Sequence, residues 1–301
     1  MDKTVLILGG SGRFGRHATG AFAKAGWEVR QFDRKTGSLW DAAWGAKVIV
    51  NAWNMAPGRW AKEALAAHRK VAEVAKASGA TIVVPGNVYN FGSAMPARLG
   101  LETPHAADTS YGQVRVAIEN AYRDANVRTI ILRAGDFLDT EPSGNWFDKV
   151  MATTLPKGVL TYPGQTDVAH AWAFLPDMAR AAVGLVEKRE ELPRFADIPY
   201  AGLTLTADDM AAAISRVLGK QVKAKPMSWL PLHVARPFWD VARYAVTMRY
   251  LWNVPHGLDP APLRALLPDH RDTSAEAALA ASLEFQINPN GVMPRESDVA
   301  A

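Results

Sequence analysis

The chain contains no cysteine, and this absence excludes disulfide bonds, thiolate catalysis and cysteine-ligated metal sites. Long hydrophobic runs are also missing, since no apolar stretch approaches the length that spans a membrane. The short apolar run near the N-terminus passes at once into glycine, unlike the core of a signal peptide. The 7 histidines have no metal-ligand spacing. We therefore expect a cytoplasmic protein with no metal site and no integral membrane segment.

A large excess of charge of one sign is missing as well. The 301 residues include 34 Lys and Arg against 30 Asp and Glu, for a formal net charge of +4. This excess is too diffuse to predict nucleic-acid binding, which requires a clustered basic face. It does suit an anionic ligand such as a dinucleotide. The length suits one large domain with a smaller attached lobe.

The first half of the chain alternates short apolar runs with longer helical patterns. Strands are predicted at 4–8, 27–32, 47–50, 81–84 and 128–132, and helices at 13–25, 60–77 and 111–125. This alternation predicts an α/β fold with a doubly wound, parallel Rossmann sheet. After residue 135 proline and glycine become frequent, and the pattern predicts a smaller, mainly helical C-terminal lobe that binds the substrate.

The predicted domain boundaries follow from this change. Residues 1–135, with a returning segment at about 165–190, form the nucleotide-binding domain. The substrate lobe takes about 136–164 and 191–288, and 289–301 is a flexible tail. Within the lobe, Thr206 is the predicted N-cap of a helix over 206–218. Residues 236–252 are predicted to form one amphipathic helix that packs on the lobe or on a second copy, with a membrane surface as the alternative.

The first predicted strand runs directly into a glycine-rich turn that opens the first helix. Gly9, Gly12 and Gly15 have GxxGxxG spacing, and Arg13 and Phe14 lie within the same turn. Gly9 permits the tight turn, Gly12 lets the backbone approach a pyrophosphate, and Gly15 lets the helix pack close to the strand. The phosphates then bind free N–H groups at the positive end of the helix dipole. The alternative is a plain strand-turn-helix without a ligand.

A carboxylate at the end of the second strand bears on the choice of dinucleotide. Asp33 lies about 20 residues beyond the glycines, where this type of fold binds the adenosine ribose hydroxyls. It slightly favours NAD, because a carboxylate repels the 2′-phosphate of NADP. Arg34 and Arg13 are cations that suit a 2′-phosphate, so NADP is not excluded.

Five further segments, at 48–53, 81–89, 111–115, 129–137 and 173–179, complete a resemblance to a known family. Together with the glycine spacing, they resemble the short-chain dehydrogenase/reductase superfamily in its extended or atypical branch of NAD-dependent epimerase/dehydratase proteins. The resemblance spans roughly residues 3–220. It implies a Rossmann domain that holds NAD(P), with Asn51, Ala52, Trp53 and Pro85 lining the cofactor.

The family uses a Ser/Thr–Tyr–Lys set, and the resemblance carries it onto three positions. Tyr111 matches the tyrosine that transfers a proton to or from the substrate oxygen. Arg115 stands at the lysine position, one helical turn later on the same face. Pro85 stands at the serine position, so Asn87 or Tyr89 would replace the serine as the hydrogen-bond donor. The implied catalytic residues are therefore Tyr111, Arg115 and Asn87.

Two functions are open on these grounds. The first is an NAD(P)-dependent oxidoreductase or epimerase/dehydratase-like enzyme that acts by hydride transfer on a small-molecule alcohol or carbonyl, including a nucleotide-sugar type. The second is a non-catalytic NAD(P)-binding sensor or regulator, which the departures at Pro85 and Arg115 keep open. An open pocket at Tyr111 favours the enzyme, whereas side chains that fill the pocket favour the sensor. The expected partner is a small molecule and not nucleic acid, and a homodimer is left open.

Overall fold

The computed structural model of the chain describes residues 3–35 and 37–287, along which strands alternate with helices. The strands are β1 (Thr4–Leu8), β2 (Glu28–Phe32), β3 (Val48–Asn51), β4 (Thr81–Gly86), β5 (Arg98–Leu99), β6 (Thr129–Arg133), β7 (Asp136–Leu138), β8 (Val159–Tyr162), β9 (His170–Phe174), β10 (Phe195–Pro199), β11 (Leu203–Leu205), β12 (Lys223–Pro226) and β13 (Gly257–Leu258). The helices are α1 (Arg13–Lys24), α2 (Leu39–Ala42), α3 (Pro57–Arg59), α4 (Leu65–Ser78), α5 (Ser110–Asp124), α6 (Leu175–Glu187), α7 (Ala207–Leu218), α8 (Leu230–Ala235), α9 (Asp240–Thr247), α10 (Ala261–Leu266) and α11 (Ala275–Ile287). Short π-helical segments lie at Trp60–Ala64 and Phe147–Met151, and 3-10 turns at Val88–Phe91, Ala152–Lys157 and Arg249–Trp252.

The central sheet is parallel, and its strand order is β10-β6-β4-β3-β1-β2. Every residue of β1 is buried, with Val5 and Ile7 in the core on one face and Leu6 and Leu8 in the core on the other. Such fully apolar strands fit a parallel sheet that is covered on both faces. The predicted α/β fold with a doubly wound parallel sheet is confirmed.

Helices cover both faces of this sheet. α1 and α6 pack on the face of Val5 and Ile7, while α4 and α5 pack on the face of Leu6 and Leu8. Because all strands of the sheet run in one direction, their carboxyl ends meet at one edge. The loops that follow β1, β2, β3 and β4 therefore gather at that edge, where open sheets of this kind bind ligands.

A second apolar core lies between α7, α11, β8 and the turns over 147–155. The predicted cap of α7 is confirmed, since the Thr206 Oγ1 accepts the N–H of Asp209 at 3.0 Å. Beside the central sheet the chain forms further small sheets, including β11-β9-β7 and β12-β8. The division into the two predicted domains stays a prediction. No described helix is long and apolar enough to cross a bilayer.

Two elements of the second half differ from the sequence prediction. Residues 195–199, which were assigned to the smaller lobe, form β10 at the edge of the central sheet, paired with β6. The strand is short and is interrupted by Asp197 and Pro199, so it carries little strand pattern. The single helix predicted over 236–252 is wrong. Pro237 removes a backbone donor in its first turns, and residues 236–252 form a turn, α9 and a 3-10 turn instead. The predicted tail over 289–301 lies outside the described residues.

A buried ion-pair network ties the end of the sheet to α5. Arg133, the last residue of β6, is 2% exposed, and its Nη2 donates to Glu119 at 2.7 Å and to Asp197 at 2.6 Å. Its Nη1 donates to the Asn87 carbonyl at 2.6 Å. Glu119 belongs to α5 and Asp197 to β10. The guanidinium therefore fixes α5, β10 and the loop after β4 at the carboxyl edge of the sheet.

Replacement of Arg133 by leucine is expected to lower the free energy of unfolding by about 3–5 kcal/mol, because the buried Glu119 carboxylate loses its cation. The matched control is Arg98→Leu. The Arg98 guanidinium pairs with Asp259 at 2.6 Å but is 70% exposed, so its loss should cost less than about 1 kcal/mol. Urea unfolding of both variants measures the difference. Equal effects would contradict a structural role for the buried network.

Candidate functional site

The turn between β1 and α1 has the backbone geometry that its glycines predict. Gly9 lies in the left-handed region with a φ of 79°, and the Gly12 N–H donates to the Gly9 carbonyl at 2.9 Å. A side chain at Gly15 would overlap the Gly9 carbonyl, so only glycine lets α1 begin this close to β1. Gly12 is the N-cap of α1, and the first helical turn contains no acidic residue. The turn therefore presents N–H groups at the positive end of a helix, an arrangement that fits a diphosphate.

The side chains inside the turn face other parts of the protein. The Arg13 Nε donates to the Ser143 carbonyl at 3.0 Å, and its Nη2 donates to the Gly144 carbonyl at 2.7 Å. These bonds hold the loop at 143–144 beside the glycine turn and engage the guanidinium there. Phe14 is buried in the core beneath the sheet. The backbone of Phe14, and not its ring, is therefore the part available to a ligand at the turn.

A cavity of about 410 Å³ opens beside the glycine turn, where β2 and β3 end. Its wall includes Phe32, Arg34, Trp53 and Lys70. The Arg34 guanidinium lies 5.3 Å from the Trp53 ring centroid, a cation–π distance. An apolar wall with two cations fits a flat group that carries a phosphate, such as an adenosine phosphate.

The carboxylate predicted to bind the ribose lies at the same edge. Asp33 directly follows β2 and is exposed, and its Oδ1 accepts the N–H of Lys35 at 2.8 Å. Arg34, the next residue, turns toward Trp53 in the cavity wall. One anion and one cation thus stand side by side at the mouth of the cavity, an arrangement compatible with both NAD and NADP.

Asn51 acts inside the protein and not on the cavity. It is buried, with its Nδ2 2.9 Å from the Tyr122 Oη and 3.2 Å from the His68 Nδ1. Its Oδ1 accepts the N–H of Trp53 at 3.3 Å. The Ala52 carbonyl lies against the glycine turn. Asn51 therefore fixes the loop that brings Ala52 and Trp53 to the turn, and reaches a ligand only through these two residues.

Arg115 on α5 is a desolvated cation with an aromatic partner. Its guanidinium lies 4.6 Å from the Trp60 ring centroid. The buried Nε has no hydrogen-bond partner within the described part of the chain. The hydroxyls of Tyr89 and Tyr244 are in hydrogen-bond contact nearby. Burial raises the pKa of both tyrosines, that of Tyr244 to about 12, and the charge of Arg115 opposes this rise.

Tyr111 lies one turn before Arg115 and packs against two of the same aromatic residues. Its ring is 6.0 Å from that of Trp60 and 4.9 Å from that of Tyr244, the latter edge-on. Burial raises the pKa of Tyr111, and the charges that act on it are Arg243 and Asp240 of α9. Tyr111 remains partly exposed. Arg115 and Tyr111 thus share Trp60 as an aromatic neighbour, and Tyr111 also packs against Tyr244 of α9.

Trp60, Tyr89, Tyr111 and Tyr244 form one contact group, which we call the aromatic cluster. Trp60 and Tyr244 were not predicted from the sequence to be functional residues. Tyr244 lies 155 residues beyond Tyr89, so no local pattern joins the two hydroxyls. The only signal for Tyr244 was its place within the amphipathic segment over 236–252.

Asn87 and Pro85 lie at the carboxyl end of β4. The Asn87 Oδ1 accepts the N–H of Tyr89 at 3.1 Å and so starts the 3-10 turn Val88–Phe91. This bond leaves the Nδ2 amide as the group that can donate to a ligand. Pro85 is half-buried opposite Leu132 of β6 and offers neither a hydroxyl nor an N–H.

One group of described residues has side chains close enough to hold a metal ion. Donor atoms of His105, Glu119 and Asp197 lie within 4.8 Å of one another. The Arg133 guanidinium donates to both carboxylates, at 2.7 Å and 2.6 Å. The Arg133 guanidinium therefore already neutralises the two carboxylates that a metal ion would need as ligands.

Comparison with known proteins identifies the fold. Neither a protein-family model nor a curated protein matches the chain. A solved structure of MoeE5 in complex with UDP-glucose and NAD is similar to it, with 14% identity, 95% of this chain and 99% of that chain covered, and a TM-score of 0.73. A dTDP-4-dehydrorhamnose reductase from Yersinia enterocolitica has 17% identity, coverages of 93% and 98%, and a TM-score of 0.70. The human epimerase family protein SDR39U1 with NADPH has 19% identity, coverages of 93% and 99%, and a TM-score of 0.71. These similarities confirm the predicted α/β Rossmann-type fold.

The buried His68 beneath the cavity loop makes stability depend on pH. Burial lowers the pKa of His68 from 6.5 to about 3, so the folded chain keeps this imidazole neutral. The unfolded chain binds a proton there near the ordinary pKa of about 6.5. Between these two values the unfolded state binds more protons, so the contribution of His68 destabilises the folded state as pH falls through that window.

Replacement of His68 by asparagine should flatten this pH dependence, because the Asn Oδ1 accepts the same hydrogen bonds and does not titrate. Between about pH 6.5 and pH 5, the variant is expected to lose roughly 2 kcal/mol less unfolding free energy than the original chain. Urea unfolding at both pH values measures this. The control is His233→Asn at an exposed position on α8, which should not alter the slope. An unchanged slope in His68→Asn would show that His68 is protonated in the folded state.

Proposed function

We propose that the chain binds NAD(P) across the carboxyl edge of the central sheet and is an oxidoreductase or epimerase/dehydratase-like enzyme. The observation that carries this proposal is the glycine turn, with its close Gly9–Gly15 contact, next to a cavity walled by Arg34 and Trp53. Two of the similar structures support it, since one is in complex with NAD and the other is with NADPH.

The residues at this edge fit the successive parts of a dinucleotide. Gly9 and Gly12 would hold the diphosphate, Asp33 the ribose, and Arg34 with Trp53 the adenosine end. A bound nicotinamide supplies the hydride donor or acceptor. Asp33 favours NAD slightly, while the cations of the cavity wall keep NADP possible.

The chain's own residues would then handle the substrate oxygen. Tyr111 is partly exposed and exchanges a proton with it, while the Asn87 Nδ2 donates a hydrogen bond to it. The buried, unpartnered Nε of Arg115 would bind a ribose or substrate oxygen. The partial exposure of Tyr111 supports an enzyme, whereas the packing of Trp60 and Tyr244 against its ring keeps the sensor as the alternative.

The expected substrate is a small-molecule alcohol or carbonyl of the nucleotide-sugar type. Support comes from the similar structures, of which one is in complex with UDP-glucose and one is a dTDP-4-dehydrorhamnose reductase. The substrate would lie between Tyr111, Asn87 and the smaller lobe. We place the protein in the cytoplasm, and a homodimer stays a prediction.

The glycine turn is tested by Gly12→Ala. Gly12 has an extended backbone that accepts a side chain, and the added Cβ lies 3.1 Å from the Gly9 carbonyl oxygen, so folding should survive. The methyl group would hold a diphosphate away from the N–H groups and weaken binding by at least about tenfold. Fluorescence titration with NAD, NADH, NADP and NADPH measures this, with the NAD forms expected to bind somewhat more tightly.

The matched control is Gly20→Ala in the same helix. No heavy atom lies within 4 Å of an added Cβ at Gly20, so dinucleotide affinity should not change. Helix stability should rise by about 0.5–1 kcal/mol. Equal affinities for the original chain and Gly12→Ala, or no binding of any of the four dinucleotides, would refute the proposal.

The catalytic assignment is tested by Tyr111→Phe. Removal of the phenol should lower turnover of UDP- or dTDP-sugars by about 10²–10⁴-fold without weakening dinucleotide binding. Tyr162→Phe is the control, since its buried hydroxyl has no hydrogen-bond partner in the described chain and belongs to the smaller lobe. The optical signal of the reduced nicotinamide reports the turnover. Undiminished turnover in Tyr111→Phe would exclude Tyr111 as the proton-transfer residue.

A further inference from the structure

Exposed apolar side chains are concentrated in one short segment. We call residues 230–243, which comprise α8, the following turn and the start of α9, the hairpin. Among the described residues, most of the large exposed apolar side chains lie in it: Leu230, Val234, Phe238, Trp239 and Val241. Phe238 at the turn is 93% exposed, and Leu230 and Val234 are each 69% exposed. Apolar surface gathered in this way on a soluble fold marks a binding surface.

The hairpin is anchored to the protein from its inner side. Trp229, just before α8, is buried and donates from Nε1 to the Pro163 carbonyl at 2.7 Å. Ala242 and Ala245 of α9 are buried as well. The outward apolar side chains are therefore presented by a fixed element. Leu230 and Val234 are spaced by one helical turn and share a face of α8.

The same part of the chain carries a concentrated positive charge. Residues 220–249 contain six cations (Lys220, Lys223, Lys225, Arg236, Arg243 and Arg249) against the single anion Asp240. The resulting formal charge of +5 exceeds the +4 of the whole chain, so the remainder is close to neutral. All six cations are exposed. Only Arg243 forms an ion pair within the described chain, with Asp240 at 2.7 Å.

We propose that the hairpin docks the protein on the surface of an anionic lipid bilayer. Phe238, Trp239 and the apolar face of α8 enter the boundary between headgroups and acyl chains, and the lysines and arginines of residues 220–249 contact the acidic headgroups. The hairpin is complementary to such a surface in charge, because it lies in a basic part of the chain, and in apolar character, because its tip is aromatic.

Charge argues against a second copy of this chain as the occupant. A twofold symmetric contact would set this segment against its own image, so that +5 would face +5. An anionic bilayer instead offers negatively charged headgroups for the cations and an apolar interior for the exposed apolar side chains. The proposal does not depend on dinucleotide binding, because the hairpin's outward side chains lie outside the glycine turn and the cavity wall.

The test is flotation of the full chain with vesicles of phosphatidylcholine alone or of an equal mixture of phosphatidylcholine and phosphatidylglycerol. The chain should float with the mixed vesicles at low salt and be released at high salt. Phe238→Ser should reduce the bound fraction by about tenfold, and Arg236→Glu by about fivefold or more. Trp44→Ser is the control, since Trp44 is 82% exposed but lies outside the hairpin, and it should bind as the original chain does.

Absence of flotation with the mixed vesicles would overturn the proposal, as would binding that Phe238→Ser and Trp44→Ser reduce equally. Light scattering on the same samples tests the other occupant. A dimer that Phe238→Ser dissociates, without vesicle binding, would assign the surface to a second copy and also overturn the proposal. Dinucleotide titration of Phe238→Ser should match the original chain, which separates failure of docking from failure of the proposed function.

Discussion

The close contact between α1 and β1 is the constraint on which the other elements depend. Because no side chain stands between Gly15 and the Gly9 carbonyl, α1 begins directly at the end of β1. α6 packs against α1. Arg16 and His17 of α1 reach Asp139 in the loop after β7, at 2.5 Å and 2.8 Å. The helix whose N-terminus fits a diphosphate is thus also the helix that holds the loop after β7 in place.

The parts of this arrangement that follow from local sequence were predictable. β1 has the predicted bounds, because a short apolar run followed by glycine admits few alternatives. Thr206 caps α7 as predicted, because capping needs only residues three apart. The parts that depend on distant partners were not predictable. Asp197 lies 64 residues from Arg133. A charged residue interrupts the apolar pattern of its strand, and only the distant Arg133 guanidinium explains why a carboxylate can lie there.

At positions 115 and 85 the chain differs from the Lys and Ser that the sequence resemblance implies. A guanidinium at position 115 needs a flat partner, and Trp60 provides its ring at 4.6 Å, whereas an ammonium would gain less from such a face. Pro85 has no hydroxyl. The aromatic cluster contains two, those of Tyr89 and Tyr244, which are hydrogen-bonded to each other. The positive charge of Arg115 opposes the rise in pKa that burial causes at those two phenols. Arg115, Trp60 and the tyrosines of the aromatic cluster therefore lie together at the proposed site.

Tyr244 connects the aromatic cluster to the surface of the molecule. It is half-buried on α9 and touches Tyr89 and Tyr111 on the inner side. Asp240, at the start of the same helix, lies so close to Gly58 that a side chain at position 58 would collide with its carboxylate. α9 is thus held against the chain that leads into Trp60. α9 therefore contacts the aromatic cluster through Tyr244 and also carries Val241, an exposed apolar side chain of the hairpin.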